Sequence, residues 1–418
     1  MPEVEFIMEK INFADLTWVM IATALVMIMT PTLAFFYGGL VRKKNVLSVL
    51  MQCMVILCVI SIQWILFGYS LAFGPDKGGI IGGLEWLGLN GVGMAPHETY
   101  MNTVPHQLFM AFQMMFAVIT PALILGAFVE RIKFSGFIFF IILWTTLVYD
   151  PLAHWVWAKD GWLNSLGALD FAGGTVIHLN AGISALIFVL LIGKRHGIEH
   201  PRSPHNLPFA VLGAGFLWFG WFGFNAGSAG AANTVAVSAF INTNTAAAAA
   251  GLTWMVLDRI VNKVPTMLGV ITGLVAGLVA VTPASGFVTP LAAMAIGTLA
   301  GFFCFLFVAK IKGLFGYDDS LDVFGVHGIG GLVGALATGL FATKTVNAAG
   351  NDGLFYGNPH QLWVQFLTVI VAIAFSAIMT FILFKIVDAI IGLRVEIKDE
   401  HMGLDLTQQH ETAYTLYD

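Results

Sequence analysis

The sequence predicts an all-α polytopic membrane protein of 11 transmembrane helices, arranged as an inverted 5+5 repeat with an eleventh helix outside it. Three observations predict this. The 418 residues are 58% hydrophobic and only 10% charged, against about 25% charged in an ordinary soluble domain. Apolar runs of roughly 20 residues, the length that crosses a bilayer, recur along the whole chain. The basic residues of the connecting segments fall on alternate sides.

On the length rule, helices are expected near 15–40, 46–73, 104–128, 135–157, 171–193, 207–230, 235–257, 265–283, 288–309, 323–343 and 362–390. The spans at 265–283 and 323–343 are short and Gly-rich. Abundant glycine, 46 residues, suits helices whose backbones approach closely in a membrane. Loops after odd-numbered helices hold Arg42, Lys43, Lys44, Arg131, Lys133, Lys194, Arg195, Arg202, Arg259, Lys263, Lys310 and Lys312, and Lys385, Arg394 and Lys398 follow the last helix. The opposite side holds only Lys10, Lys77, Lys159 and Lys344. Basic residues accumulate on the cytoplasmic side, so the N-terminus is expected outside and the C-terminus in the cytoplasm of a multi-pass cell-membrane (inner-membrane) protein.

The acidic start, Met1-Pro-Glu-Val-Glu, lacks the positive segment of a cleavable signal, so the first helix is expected to serve as its own insertion signal. Residues 1–390 then form the transmembrane domain and 391–418 a short polar cytoplasmic tail. Cys53, Cys58 and Cys304 lie inside apolar runs and read as buried small hydrophobes. No basic cluster points to nucleic acid. No Walker-type loop points to ATP-driven pumping, no nucleophile–base pair or metal motif points to an enzyme, and no cofactor is implied.

Five helices per half is an odd number, so the second half enters from the opposite face, the arithmetic of an inverted repeat. The last helices of the two halves read alike. The fifth runs Asp170-Phe-Ala-Gly-Gly-Thr-Val-Ile-His178-Leu-Asn-Ala-Gly182, and the tenth Asp322-Val-Phe-Gly-Val-His327-Gly-Ile-Gly-Gly331. Each has an entry Asp, a Gly-rich start, one His, and Gly four residues after it. Ionisable groups within a bilayer are costly and mark function. At 1.5 Å per residue, His178 is expected about 12 Å below the outer helix end and His327 about 7 Å above the inner one, leaving roughly 10 Å between them in a core of about 30 Å. A two-fold axis in the membrane plane would bring them together. Neutral imidazole both donates and accepts, so such a pair can relay a proton or hold a small polar solute. Asp170 and Asp322 are expected to cap their helices. Asp170, on the outer side, can also draw a cation, and Asp322 is expected to order the loop Tyr317–Asp322.

A second constellation is aromatic: Trp157 at the outer end of the fourth helix, Phe112 and Phe116 one turn apart on the third, and Trp218-Phe-Gly-Trp221-Phe-Gly-Phe224-Asn-Ala-Gly-Ser228 on the sixth. Such residues anchor helices at interfaces. They also bind a cation through the ring quadrupole, and Trp157 with a nearby hydroxyl suits a small cation such as ammonium.

The runs DFAGGTVIHLNAG, GWFGFNAGSA and DVFGVHGIGG, with the GLRV…GLD…ETAY tail, resemble the ammonium transporter family (Amt/Mep/Rh), specifically its prokaryotic Amt branch, over essentially the whole chain. The resemblance implies a homotrimer with one pore per subunit. It implies an outer aromatic cage for ammonium at Trp157, Phe116 and Ser228, gate phenylalanines Phe116 and Phe224, twin pore histidines His178 and His327, the outer aspartate Asp170, and pore-lining Phe112 and Trp221. It also implies a trimeric PII-type signalling protein as partner of the cytoplasmic tail, alongside membrane lipid and ammonium or ammonia. The function so implied is nitrogen uptake: ammonium is recruited, deprotonated, and conducted as ammonia with separate proton transfer. The competing readings are an ammonium sensor and an Rh-like neutral channel for ammonia or carbon dioxide. The absence of an appended kinase or cyclase domain counts against the first, and the Trp157 and Ser228 pair against the second.

Overall fold

A computed structural model describes residues 10–198 and 203–414. The acidic start Met1–Glu5 and Arg202, which entered the charge count, lie outside the described residues. Within them the chain forms eleven apolar helices: α1 Phe13–Leu40, α2 Lys43–Phe73, α3 His106–Phe128, α4 (Phe134–Trp144, a π turn at Thr145–Tyr149, then Asp150–Trp157), α5 Gly174–Ile192, α6 Leu207–Gly227, α7 Thr234–Val261, α8 Met267–Val281, α9 Pro290–Phe315, α10 Phe324–Phe341 and α11 Pro359–Ile390. Ten are long and apolar enough to cross a membrane, and α8, with 15 residues, is the shorter one. Each expected span has its helix. The segment between α2 and α3 carries a small hairpin, β1 Asp76–Lys77 paired with β2 Ile81–Gly82.

The halves interlock reciprocally. Helix α6 lies along α1, α3 packs on both α1 and α5, and the first turns of α5 and α10 each pack on the body of the other. Glycine makes that last contact possible. A Cβ on Gly182 would sit 2.1 Å from the Gly328 nitrogen, and one on Gly331 would sit 2.7 Å from the Leu179 nitrogen. These are the glycines four residues after each histidine, and they are where the two backbones touch. Both histidines lie in π-helical turns, Gly174–Leu179 and Phe324–Gly328, a local widening often found at functional positions.

The aspartate expectation holds for α5 and is corrected for α10. Asp170 accepts four backbone N–H groups, from Gly173, Gly174, Thr175 and Val176. At α10 the cap is Asp319, which accepts from Val323 and Phe324. Asp322 instead adopts a left-handed φ of 61° and pairs with Lys312. The chain reverses at Asp322, so the residue next to the helix points away and the one three positions earlier reaches its free N–H groups. Asp170 and Asp319 each stand eight residues before their histidine, so they are the matching pair. The cysteine expectation also needs one change: Cys53 and Cys304 are buried, but Cys58 is exposed on the outer surface of α2, where an apolar side chain faces lipid without cost.

At the end carrying most basic loops, buried charges knit the helix ends together. Glu130 pairs with Arg42 and Arg195, and Asp318 with Arg195 and Arg131. Burial pushes the Asp318 carboxyl up, but the Arg195 and Arg131 guanidiniums outweigh it and hold it at about 2. The tail is docked here, in two short helices, α12 Ile397–Met402 and α13 Leu404–Gln409. Asp405 accepts the Leu47 and Ser48 N–H groups at the start of α2, and Glu400 holds Arg394 and the His196 N–H.

Two predictions follow from this packing. Gly182→Val should force α5 from α10 and lower stability by about 1–3 kcal/mol, read as a fall in melting temperature of the purified protein. Asp318→Asn should remove roughly 3 kcal/mol at neutral pH by stranding buried arginine charge. Because the folded carboxyl titrates below its unfolded value of about 3.9, this stability is present above that value and lost as pH falls toward about 2. Melting curves of wild type and variant should therefore converge only at acid pH.

Candidate functional site: paired histidines between two chambers

The crossing of α5 and α10 sets two imidazoles edge to edge, nearly in one plane. His178 Nδ1 and His327 Nδ1 lie 3.2 Å apart, with the rings 5.3 Å between centroids and 19° from parallel. The expected axial gap of roughly 10 Å is thus closed: the π turns and the glycine contacts draw the two segments together. Both rings are buried, and His178 Nε2 has no hydrogen-bond partner. Trp221 stacks on His178 at 5.3 Å and is held by its Nε1 donating to Thr282 Oγ1 at 2.9 Å.

A cavity of about 10 Å³ lies against these rings, lined by His178, His327, Trp221, Phe224 and aliphatic side chains of α1, α3, α6 and α8. That is close to the minimum that holds one water-sized molecule. On one side the Phe116 and Phe224 rings stack at 4.4 Å and 24°, closing the way. Phe112 packs against Phe116 at 4.9 Å. Beyond them, at the end away from the docked tail, opens a chamber of about 440 Å³, called the outer chamber after the orientation expected from the basic loops, whose wall includes Phe112, Phe116, Trp157 and Ser228. On the other side a chamber of about 340 Å³ runs from His327 past Asp322 to Glu130, Arg42 and Arg195.

The outer chamber assembles residues from four segments. Trp157 ends α4 and meets Phe116 edge to face at 6.0 Å. Its indole Nε1 donates to the Asp170 carbonyl at 2.9 Å, fixing the ring across the loop between α4 and α5. Ser228 follows α6 and donates its Oγ proton to the Phe224 carbonyl at 2.8 Å, leaving the oxygen's lone pairs free. Asp170 does not line this chamber; it borders an adjoining lobe with Trp157 and Ser228. Burial raises its carboxyl, and the four N–H groups work against that. It supports the site by capping α5 and orienting Trp157.

Phe112, Phe116, Trp157, Ser228, Phe224, Trp221, His178 and His327 therefore fall in one line, whereas Trp218, Phe219 and Phe222 of the same α6 run border none of these spaces. Two participants escaped sequence reasoning. Asp319 was readable from its eight-residue spacing to His327, which mirrors Asp170 and His178. Gln113, between Phe112 and Phe116 on α3, also lines the outer chamber, and its signal was a polar side chain within an otherwise apolar run.

The family model described as the Ammonium Transporter Family matches residues 17–414. The chain is 52% identical over 403 residues to the ammonium transporter of Bacillus subtilis (strain 168), covering 96% of this chain and 99% of that one. It is 47% identical to the ammonium transporter Amt1 of Archaeoglobus fulgidus, covering 96% and 99%. Among solved structures it is similar to Saccharomyces cerevisiae Mep2, with a TM-score of 0.86 and 39% identity over 93% of this chain and 88% of that one. With the fold, the aligned path and these relatives together, the chain belongs to the ammonium transporter family.

Proposed function

We propose that the chain takes up ammonium by recruiting the cation in the outer chamber, removing a proton there, and passing ammonia along the buried path. The observation that carries this reading is the 3.2 Å contact between two buried imidazoles beside a cavity of about 10 Å³.

The physics runs in order along the path. A small cation entering the outer chamber meets the faces of Phe116 and Trp157, whose quadrupoles attract it, and the free lone pairs of Ser228 Oγ. Going further as a cation would require shedding water in an apolar constriction, at a large cost. Ammonium escapes that cost by leaving its proton outside the constriction. Potassium has no proton to leave, so the same step gives selectivity. Ammonia then passes as the Phe116 and Phe224 rings part. At the histidines, one Nδ1 donates to the other, so one Nε2 is an acceptor and the other a donor. Ammonia, which both donates and accepts, is matched to such a pair. The pair can also relay a proton: one taken up at the accepting Nε2 shifts the shared Nδ1 proton to the other ring, which releases its Nε2 proton on the far side, so the charge crosses as a proton and not as ammonium. Asp170 and Asp319 keep both histidine helices in register.

We further infer a homotrimer with one path per subunit in the cell membrane, the N-terminus outside, and residues 391–418 as a cytoplasmic regulatory tail that receives a trimeric PII-type protein. The apolar outer faces of the helices support the membrane setting, the alternation of basic loops supports the orientation, and the docking of residues 394–405 onto the α2 end supports coupling of the tail to the inner chamber.

The test is current after an ammonium jump on proteoliposomes adsorbed to a solid support. Wild type should give a current, and His178→Ala with His327→Ala should lower it on the order of a hundredfold or open it to potassium. Ammonia uptake without current, seen by an internal pH dye, would overturn the charged mechanism in favour of a neutral channel. Trp157→Leu should raise the half-saturating ammonium concentration about tenfold if the indole face holds a desolvated cation.

A further inference from the structure

The outer chamber contains a polar group that no role above uses. Gln113 sits on α3 with its side chain lining the chamber. It is half-buried, and its Oε1 is buried with no hydrogen-bond partner. Four other polar side chains of the chamber are already engaged: Tyr100 donates to Phe73, Thr103 to Asp15 and Ser228 to Phe224, and Asn233 accepts the Ala236 N–H as a helix cap; Thr99 and Asn102 also line the chamber, but neither shares the α3 stretch of Phe112 and Phe116. No hydrogen bond within the described residues ties down the Gln113 amide. A buried amide oxygen without a partner is rare in a folded protein and calls for a reason. An amide that is not tied can turn about its last torsion, a broad and shallow one, without losing any protein contact.

Position supplies the reason. Gln113 stands one residue after Phe112 and three before Phe116, on the stretch of α3 that walls the chamber beside Trp157 and Ser228. Ammonium has four N–H donors in a tetrahedron. Aromatic faces take up some of its charge without accepting strong hydrogen bonds, and Ser228 Oγ provides one acceptor. The remaining donors need oxygen, and the amide of Gln113 can present one with two lone pairs. We propose that Gln113 is a further ligand of the cation in the outer chamber, its carbonyl oxygen accepting an N–H of ammonium beside Ser228 and the aromatic walls. This rests on the reading of the chamber as the ammonium-recruiting site.

The test measures uptake against ammonium concentration in proteoliposomes for wild type, Gln113→Met, Gln113→Glu and Trp157→Leu, each checked for folding by melting and gel filtration. Methionine keeps the length of the side chain and removes the acceptor. It should raise the half-saturating concentration about tenfold, the loss of one hydrogen bond to a charged donor, with a smaller change in maximal rate. Glutamate keeps the acceptor and adds charge, so its half-saturating concentration should equal or fall below that of wild type. If methionine leaves the constant within twofold while Trp157→Leu raises it, the Gln113 assignment fails and the chamber stands. If methionine and glutamate raise it equally, Gln113 serves packing alone and the assignment fails. If Trp157→Leu changes nothing, the chamber reading itself fails. Should Gln113→Met not fold, Gln113→Leu together with the glutamate variant makes the same comparison.

Discussion

The close crossing of α5 and α10 is the constraint on which the rest depends. Two helices whose backbones touch at Gly182–Gly328 and Gly331–Leu179 can place side chains from both within hydrogen-bond reach. Any Cβ there would push the axes apart, and the imidazole contact at 3.2 Å would be lost. In a bilayer the attraction between helices comes from packing more than from expelled water, so small residues at the crossing favour association and set the geometry at once.

Burying imidazoles, carboxylates and helix ends in such a setting is tolerable only where each has a partner. The structure meets this with reciprocal devices. Asp170 and Asp319 turn their carboxylates inward onto free N–H groups at the start of α5 and α10, where the helix dipole also favours negative charge. The four donors on Asp170 and the Lys312 charge near Asp319 offset the desolvation of each. Even so, burial carries Asp319 up to about 6, with the Asp322 charge adding to it. The histidines pair with each other. Three atoms of the residues lining the path are buried without a partner: His178 Nε2, Gln113 Oε1 and, in the inner chamber, Arg42 Nη2.

Aromatic rings divide the path into compartments of different character. The outer chamber is wide and mixed in polarity, the stacked Phe116 and Phe224 make an apolar plug, and the space beside the histidines is just large enough for one small molecule. On the proposed reading, a charged species is favoured in the first and excluded from the second, which puts the change of protonation at their boundary. At the other end, the inner chamber is bordered by Glu130, Arg42 and Arg195, and Asn45 links Glu130 to the Leu404 N–H of the docked tail. The docked tail and the wall of that chamber are therefore joined by one short chain of hydrogen bonds.

The sequence by itself determined the membrane class, the position of each helix and the family, because hydrophobic length, basic-loop alternation and contiguous motifs are local properties of the chain. It also marked His178, His327, Trp157, Phe116, Phe224 and Ser228, since polar and aromatic residues stand out in apolar runs. It misassigned the α10 cap to Asp322 because adjacency does not reveal a chain reversal at positive φ. Only the tertiary structure decided that the histidines touch, that Asp170 caps and orients but does not line the outer chamber, that the polar tail is docked, and that Gln113 faces a chamber unpaired. Each of these depends on distances between segments far apart in the chain, which helical periodicity and composition do not encode.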